Sequence, residues 1–216
     1  MQAVLALLLG IQDGGPGVPP PEPSAAIVEA KANRARMRGA PQYKQEPDTV
    51  VPPDAQERGE HGEAIVSAIV GVDGRMIEPT IKVSTRSAAI DKAALAAASE
   101  ALFEPARDAA GGPIAVYISV SFKFDNAASF DRKAIFNYRC AQFIKDQAWW
   151  RMAWPEKPRD NFGNLLAGMT IVRFGTRPED LKRGAAQFDE AWRVTQERCA
   201  LKPDAPVMKV FSEASR

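Results

Sequence analysis

The chain has 216 residues, 45% of them hydrophobic and 25% charged, with 28 basic against 27 acidic side chains and a formal net charge of +1. This composition excludes a disordered or collagen-like chain, and the even charge balance lacks the basic surplus that nucleic-acid binding demands. No apolar run reaches the roughly 20 residues that cross a bilayer as a helix.

Residues 3–11 (AVLALLLGI) form a short apolar run that the glycine- and proline-rich stretch 12–17 ends. Its length suits the apolar core of a signal peptide, although the first basic residue is Lys31 and no Ala-x-Ala site follows. Residues 1–12 therefore read as a signal peptide or a truncated membrane anchor, the other reading being a frayed or buried N-terminal helix. Nine of the 17 prolines lie in the first 53 residues, and Pro19, Pro20, Pro21 and Pro23 make a polyproline-like spacer. Residues 13–49 thus read as a linker, interrupted by a short helix that Ser24 caps and that runs to Arg34, Arg36 and Arg38 at its C-terminal end.

A second short helix opens at Pro52 and Pro53 and stops at Gly59. From residue 64 the pattern has period two: Ala64, Val66, Ala68 and Val70 alternate with Ile65, Ser67 and Ile69 up to the tight-turn pair Asp73-Gly74. Residues 76–83 form the returning strand, with Ile77, Ile81 and Val83 expected on one face and Pro79 marking a bulge or an edge. Ser87 then caps an alanine-rich helix whose apolar stripe is Ile90, Ala94, Ala97, Ala98, Ala101 and Leu102, with Asp91 in its favourable first turn. Residues 114–124 alternate strictly, apolar Ile114, Val116, Ile118, Val120, Phe122 and Phe124 against Ala115, Tyr117, Ser119, Ser121 and Lys123. The order β-β-α-β predicts an α+β unit, a three-stranded antiparallel sheet with helices on one face and the other face open.

Taken together, Pro52 through Gly62, then Val72-Asp73-Gly74-Arg75, Ile90-Asp91-Lys92-Ala93-Ala94-Leu95, Phe103-Glu104-Pro105-Ala106-Arg107 and the last alternating strand resemble the C-terminal domain of the TonB family. The resemblance covers residues 50–125, and it rests on the order and spacing of the pieces. Val51 stands where the family usually has an aromatic, and Ala101 where it usually has a tryptophan. What the resemblance implies is a periplasmic protein that takes an extended peptide, the TonB box of an outer-membrane receptor, beside the last strand by β-augmentation. It further implies a link to energy-dependent transport, with inner-membrane proton-motor proteins as partners where a full anchor exists. The edge strand that would receive the peptide comprises Ile114, Val116, Tyr117, Ile118, Ser119, Val120, Ser121 and Lys123. The same edge can instead be covered by the chain's own C-terminal segment or pair with a second copy. A different reading keeps the domain as an exported envelope module, binding another envelope protein without transducing energy.

Residues 126–216 turn aromatic and helical. Phe136, Cys140, Phe143 and Ile144 share a helical face that continues to Trp149, Trp150, Met152 and Trp154, where Pro155 and Pro158 break it. Leu165, Leu166, Met169 and Val172 suggest a second helix, and Pro178 opens a third with the stripe Leu181, Ala185, Phe188, Trp192, Thr195 and Cys199. A small helical bundle follows. In an exported protein Cys140 and Cys199 read as one disulfide between the first and third helices, closing a loop worth about 4 kcal/mol of chain entropy; in a reducing compartment they read as two small buried hydrophobes. The tryptophan cluster suits core packing better than a ligand platform.

Signs of catalysis are absent from the sequence. It has no Gly-x-Ser-x-Gly and no phosphate-cradling loop, and its cysteine and histidine spacing suits no metal. The sole histidine, His61, lies between glycines where a solvated side chain is expected, and Asp189 and Glu190 belong to a charged helix face. Neither an enzymatic activity nor a metal or organic cofactor is expected.

Overall fold

The computed structural model describes residues 22–125 and 132–216. The apolar run at 3–11 and the prolines at 19–21 lie outside the described residues. Helix α1 (Ala25–Asn33) begins where the Ser24 hydroxyl accepts the Ile27 N–H. It ends earlier than Arg38 because Asn33 donates to the Ala115 carbonyl and the Arg38 N–H to the Arg107 carbonyl, drawing the chain onto the sheet. A single 3-10 turn over Arg34–Arg36, strand β1 (Gln42–Gln45) and helix α2 (Pro53–Glu57) follow.

Strands β2 (Gly62–Val70) and β3 (Met76–Val83) form the expected hairpin. Its five-residue loop, 71–75, closes through the Gly71 N–H to the Arg75 carbonyl and the Gly74 N–H to the Gly71 carbonyl, with Gly74 at φ +83°. Only glycine fits there: a Cβ on Gly74 would stand 1.9 Å from the Phe103 carbonyl oxygen. The face expected for β3 is corrected by two register shifts in its pairing with β2, between Ile65 and Val66 and between Ser67 and Ile69. Ile81 packs against the core with Met76, whereas Ile77 and Val83 remain 48% and 41% exposed. Glu78 at φ +51° beside Pro79 marks the irregularity.

Helix α3 (Ala88–Glu100) starts at its Ser87 cap. Asp91 does more than answer the helix dipole, since its Oδ1 accepts both the N–H and the hydroxyl of Thr85 at 2.8 Å and its Oδ2 accepts Ser84 Oγ, pinning the loop after β3. Four short or long strands complete the unit: β4 (Leu102–Glu104), β5 (Ala106–Arg107), β6 (Pro113–Ile114) and β7 (Val116–Phe124). The main sheet has the order β3-β2-β7, while β1 pairs with β4 and β5 with β6. Ala64, Val66, Ala68 and Val70 meet Phe122, Phe124, Ile90, Ala94 and Ala98 in one core, together with Val51 and Ala101, so both residues that differ from the family pattern sit at buried positions. The alanines let α3 approach the sheet closely. The second face is not open as expected: α1 crosses it, with Ala30 buried, Ser24 bonded to Glu78 of β3 and Lys31 4.9 Å from the Tyr117 ring of β7.

Residues 132–216 fold as α4 (Arg132–Asn137), α5 (Cys140–Ala153), α6 (Asn161–Ile171), α7 (Pro178–Leu201) and α8 (Val207–Ala214). Phe143, Phe162, Leu166, Phe188 and Trp192 make the core, which α8, unforeseen in the sequence, closes with Val207, Val210 and Phe211. Cys140 and Cys199 are disulfide-bonded, their Cα atoms 4.8 Å apart. Three stripe assignments change. The helix is interrupted between α4 and α5, so Phe136 leaves the α5 stripe and is 61% exposed. Asp160 caps α6 by accepting the Gly163 N–H, which turns Phe162, Leu166, Ala167 and Thr170 inward and leaves Met169 and Val172 outside. Met152 and Leu181 are also exposed, while Trp149, Trp150 and Trp154 are buried, as core packing requires.

Candidate peptide-binding edge

Strand β7 pairs with β2 without interruption from Gly62↔Phe124 to Val70↔Val116. In such a pair alternate residues turn their N–H and C=O groups away from the partner. Among the described residues no strand occupies that outer side of β7, and the C-terminal helices do not cover it as a strand. The opposite edge of the same sheet, β3, is also terminal, but the bulges, Pro79 and the positive φ of Glu78 spoil it as a pairing template. One edge is therefore regular and the other is blunted.

The predicted site residues divide by position. Ile114 does not belong to the edge strand: it lies in β6, pairs with Ala106 and is buried beside Val116. The break falls at Ala115, whose carbonyl is taken by Asn33. Val116 is buried, and Tyr117 is half-buried beneath Lys31. Ile118 and Val120 are half-buried on the core side, and Ser119, Ser121 and Lys123 are exposed on the other. Ser119 shares a 2.9 Å hydrogen bond with Ser67, and Ser121 donates to Glu63. From Ile118 to Ser121 the edge opens on a groove of about 660 Å³ whose far wall is Arg34, Ala40, Pro41, Gln42 and Tyr43.

That far wall escaped the sequence reading, since Gln42–Gln45 is short, polar and without visible periodicity. The one signal was Tyr43, which stacks on Phe103 with ring centroids 4.4 Å apart, so β1 is held by an aromatic pair across β4. Burial and the neighbouring Glu46 push the Tyr43 hydroxyl up to about 12, which keeps it a neutral donor. Arg34 and Lys82 add positive charge to the groove. Chemically the arrangement offers main-chain pairing along β7, an apolar strip at Ile118, Val120 and Phe103, and two cations.

A second constellation joins the sheet unit to the helices, and His61 is at its centre. The expectation of a solvated histidine fails: the ring is 4% exposed and lies 5.3 Å, centroid to centroid, from both Trp149 and Trp150. Its Nδ1 is 2.9 Å from the Gly59 carbonyl, and its Nε2 is 3.3 Å from Asp160 Oδ2, close enough for an ion pair though not aligned as a hydrogen bond. Burial opposes the charged ring, but Asp160, Asp146 and the Gly59 carbonyl together outweigh it, so the His61 pKa stands above its ordinary 6.5. Asp160 also accepts Gln147 Nε2 and caps α6, while Asp146 accepts the Tyr138 hydroxyl and Gln142, which in turn donates to the Gln56 carbonyl. Burial pushes Asp125 up despite its bond from Asn161. Gly59 permits the approach, for at φ +77° a Cβ would meet the backbone of Lys145 and Asp146 at 2.5–2.7 Å. This is a packed joint; glycine flanks and one histidine in sequence gave no hint of what would cover them.

The tryptophans have little free surface for a ligand. The Trp154 ring already carries the Arg86 guanidinium at 3.8 Å and the Lys157 ammonium at 4.0 Å from its centroid. Asp189 and Glu190 pair with Arg159 and Arg193 on the surface. Among the described residues no group of three or more acidic, histidine or cysteine side chains is arranged to hold a metal ion, and no helix is long and apolar enough to cross a membrane.

Residues 49–125 match the family model described as the Gram-negative bacterial TonB protein C-terminal, and this part of the chain is a TonB C-terminal domain. Among solved structures, the solution NMR structure of the Pseudomonas aeruginosa TonB C-terminal domain is similar at 26% identity, covering 44% of this chain and 91% of that one with a TM-score of 0.35. No curated protein matches the chain.

Proposed function

We propose that this TonB C-terminal domain works in the Gram-negative cell envelope by accepting an extended peptide, the TonB box of an outer-membrane receptor, as an added strand along β7. One observation carries the reading: β7 is a long, regular strand whose outer side has no strand partner among the described residues and faces a groove of about 660 Å³. Backbone pairing supplies affinity that is tolerant of sequence, and the alternate side chains of the peptide would find Ile118, Val120 and the Tyr43–Phe103 pair. Arg34 and Lys82 favour an acidic residue in the ligand. The function is binding without covalent chemistry, linked to transport across the outer membrane, in the periplasm.

A second reading, an envelope assembly module that does not transduce energy, is favoured by one feature of its own. Residues 132–216 lie beyond the family match and contact the domain through Gly59, His61 and Gln56, which gives the domain a second body with its own surfaces. Both readings use the same edge.

The test is an NMR titration of the full chain with TonB-box peptides. The expected result is a set of amide shifts concentrated in Val116–Phe124 and in β1, abolished by a proline in the pairing segment of the peptide. Silence of β7 at about millimolar peptide would remove the receptor reading. Shifts that grow with protein concentration alone would instead identify the edge as a contact between two copies.

A further inference from the structure

Helices α4, α6 and α8 enclose a groove of about 710 Å³ on the helical segment, with no residue of β7 in its lining. Its floor is apolar: Phe211 is almost fully buried beneath it, while Phe136 and Met169 line it and stay 61% and 55% exposed. Exposed aromatic and methionine side chains gathered in a concavity are unusual for a finished surface. Arg173, Lys209 and Arg216 also line it, and none of its lining residues is acidic. Among the described residues no side chain forms an ion pair or hydrogen bond with these three cations.

The combination selects a ligand by elimination. A purely apolar molecule would leave three cations unanswered, and a small inorganic anion would leave the floor wet. A docked protein needs about 20–30 residues on each side, and this groove has 12 lining residues. Its volume lies in the range of roughly 300–1,000 Å³ typical of small-molecule sites. We infer that the groove binds a single-chain amphiphile with an anionic head, the hydrocarbon chain lying on Phe136, Met169 and Phe211 and the head among Arg173, Lys209 and Arg216. A free fatty acid and a lysophospholipid share that chemistry. The site is independent of the β7 edge, so the failure of either leaves the other standing.

Isothermal titration of the full chain with dodecanoate and an anionic C12 lysophospholipid, each below its micellar concentration, and with neutral dodecanol below its solubility limit tests the assignment. Dodecanoate or the lysophospholipid should bind with micromolar affinity and raise the melting temperature, and the tighter of the two identifies the source; dodecanol should bind at least about tenfold more weakly. Reversing two cations in Arg173→Glu with Lys209→Glu should weaken the anionic ligand by about tenfold or more, and Met169→Trp should weaken it by filling the floor, both without lowering the melting temperature of the free protein. Equal affinity for dodecanol, indifference to both variants, or a ligand-induced fall in melting temperature would overturn the proposal. So would binding seen only with anionic vesicles or only with an amphipathic peptide, since either outcome assigns the groove to a macromolecular surface.

Discussion

The two halves of this molecule end their backbones differently. In the sheet unit β7 leaves a row of N–H and C=O groups facing a groove between Ile118 and Ser121, held in place by a core in which alanine and valine predominate. In the helical unit α5 and α7 satisfy their backbones internally, interlock Phe143, Phe162, Phe188 and Trp192, and are tied by Cys140–Cys199. A sheet that ends in a regular, unpaired strand lacks the hydrogen bonds that closure would add, so more of its stability has to come from elsewhere. The joint at Gly59 and His61 connects the open unit to the closed one, and the difference suggests a division of labour in which the helices stiffen what the sheet leaves unfinished.

The largest expected effect comes from removing the disulfide. Closing a loop of 59 residues restricts the unfolded chain by about 4 kcal/mol, so Cys140→Ser with Cys199→Ser should lower the melting temperature by roughly 10 °C in a protein of this size. Amide exchange decides how the loss is shared. If the helices act as a separate reinforcement, protection falls in α5 and α7 and much less in β2; an equal fall in β2 would mean that the joint makes one cooperative unit of both halves.

How much of this was legible follows from where each signal lives. The hairpin, α3 and the body of β7 were readable because their patterns are local: an Asp-Gly turn, a Ser87 cap and strict alternation each act within a few residues. The disulfide was readable as well, since both cysteines fall on helical stripes. The faces of β3 were misjudged because a bulge changes the side-chain register without leaving a mark in composition. The cover that α1 gives the second face, the β1 wall of the groove and the burial of His61 are contacts between segments distant in sequence, such as Asn33 with Ala115, Tyr43 with Phe103 and His61 with Asp160. No local period encodes them. Ile114 leaves the edge strand for the same reason, because its pairing with Ala106 and the Asn33 bond to Ala115 interrupt an alternation that otherwise continues.

A smaller and more local effect is expected at the joint itself. Gly59→Ala would place a methyl group 2.5 Å from the Lys145 carbonyl carbon at φ +77°, a conformation that alanine adopts only with strain. We expect a loss of roughly 2 kcal/mol and a displacement of α5, visible as a change in the fluorescence of Trp149 and Trp150, which flank His61. Peptide shifts on β7 should persist if the open edge is autonomous. Their loss along with the joint would show that the helices hold the edge in shape, tightening the comparison into a dependence.

The smallest effect should appear in the pH dependence of the joint. The folded pKa of His61 stands above its ordinary 6.5, so its contribution to stability is complete below about 6.5 and fades as pH rises through the folded value. Asp125, raised by burial, contributes with the same sign, so the histidine is isolated by comparing wild type with His61→Gln from about pH 6 to about pH 9. Across that window the wild-type melting temperature should fall while that of His61→Gln stays nearly level, because glutamine can still face Gly59 and Asp160 but cannot titrate. Parallel slopes for the two proteins would mean that the imidazolium adds nothing to the contact with Asp160, in line with buried ion pairs whose desolvation cancels their attraction. In that event the joint is held by Gly59 against α5, by the Gln142 bond to the Gln56 carbonyl and by His61 beside Trp149 and Trp150, and the reinforcement of the open sheet by the closed helices would be independent of pH.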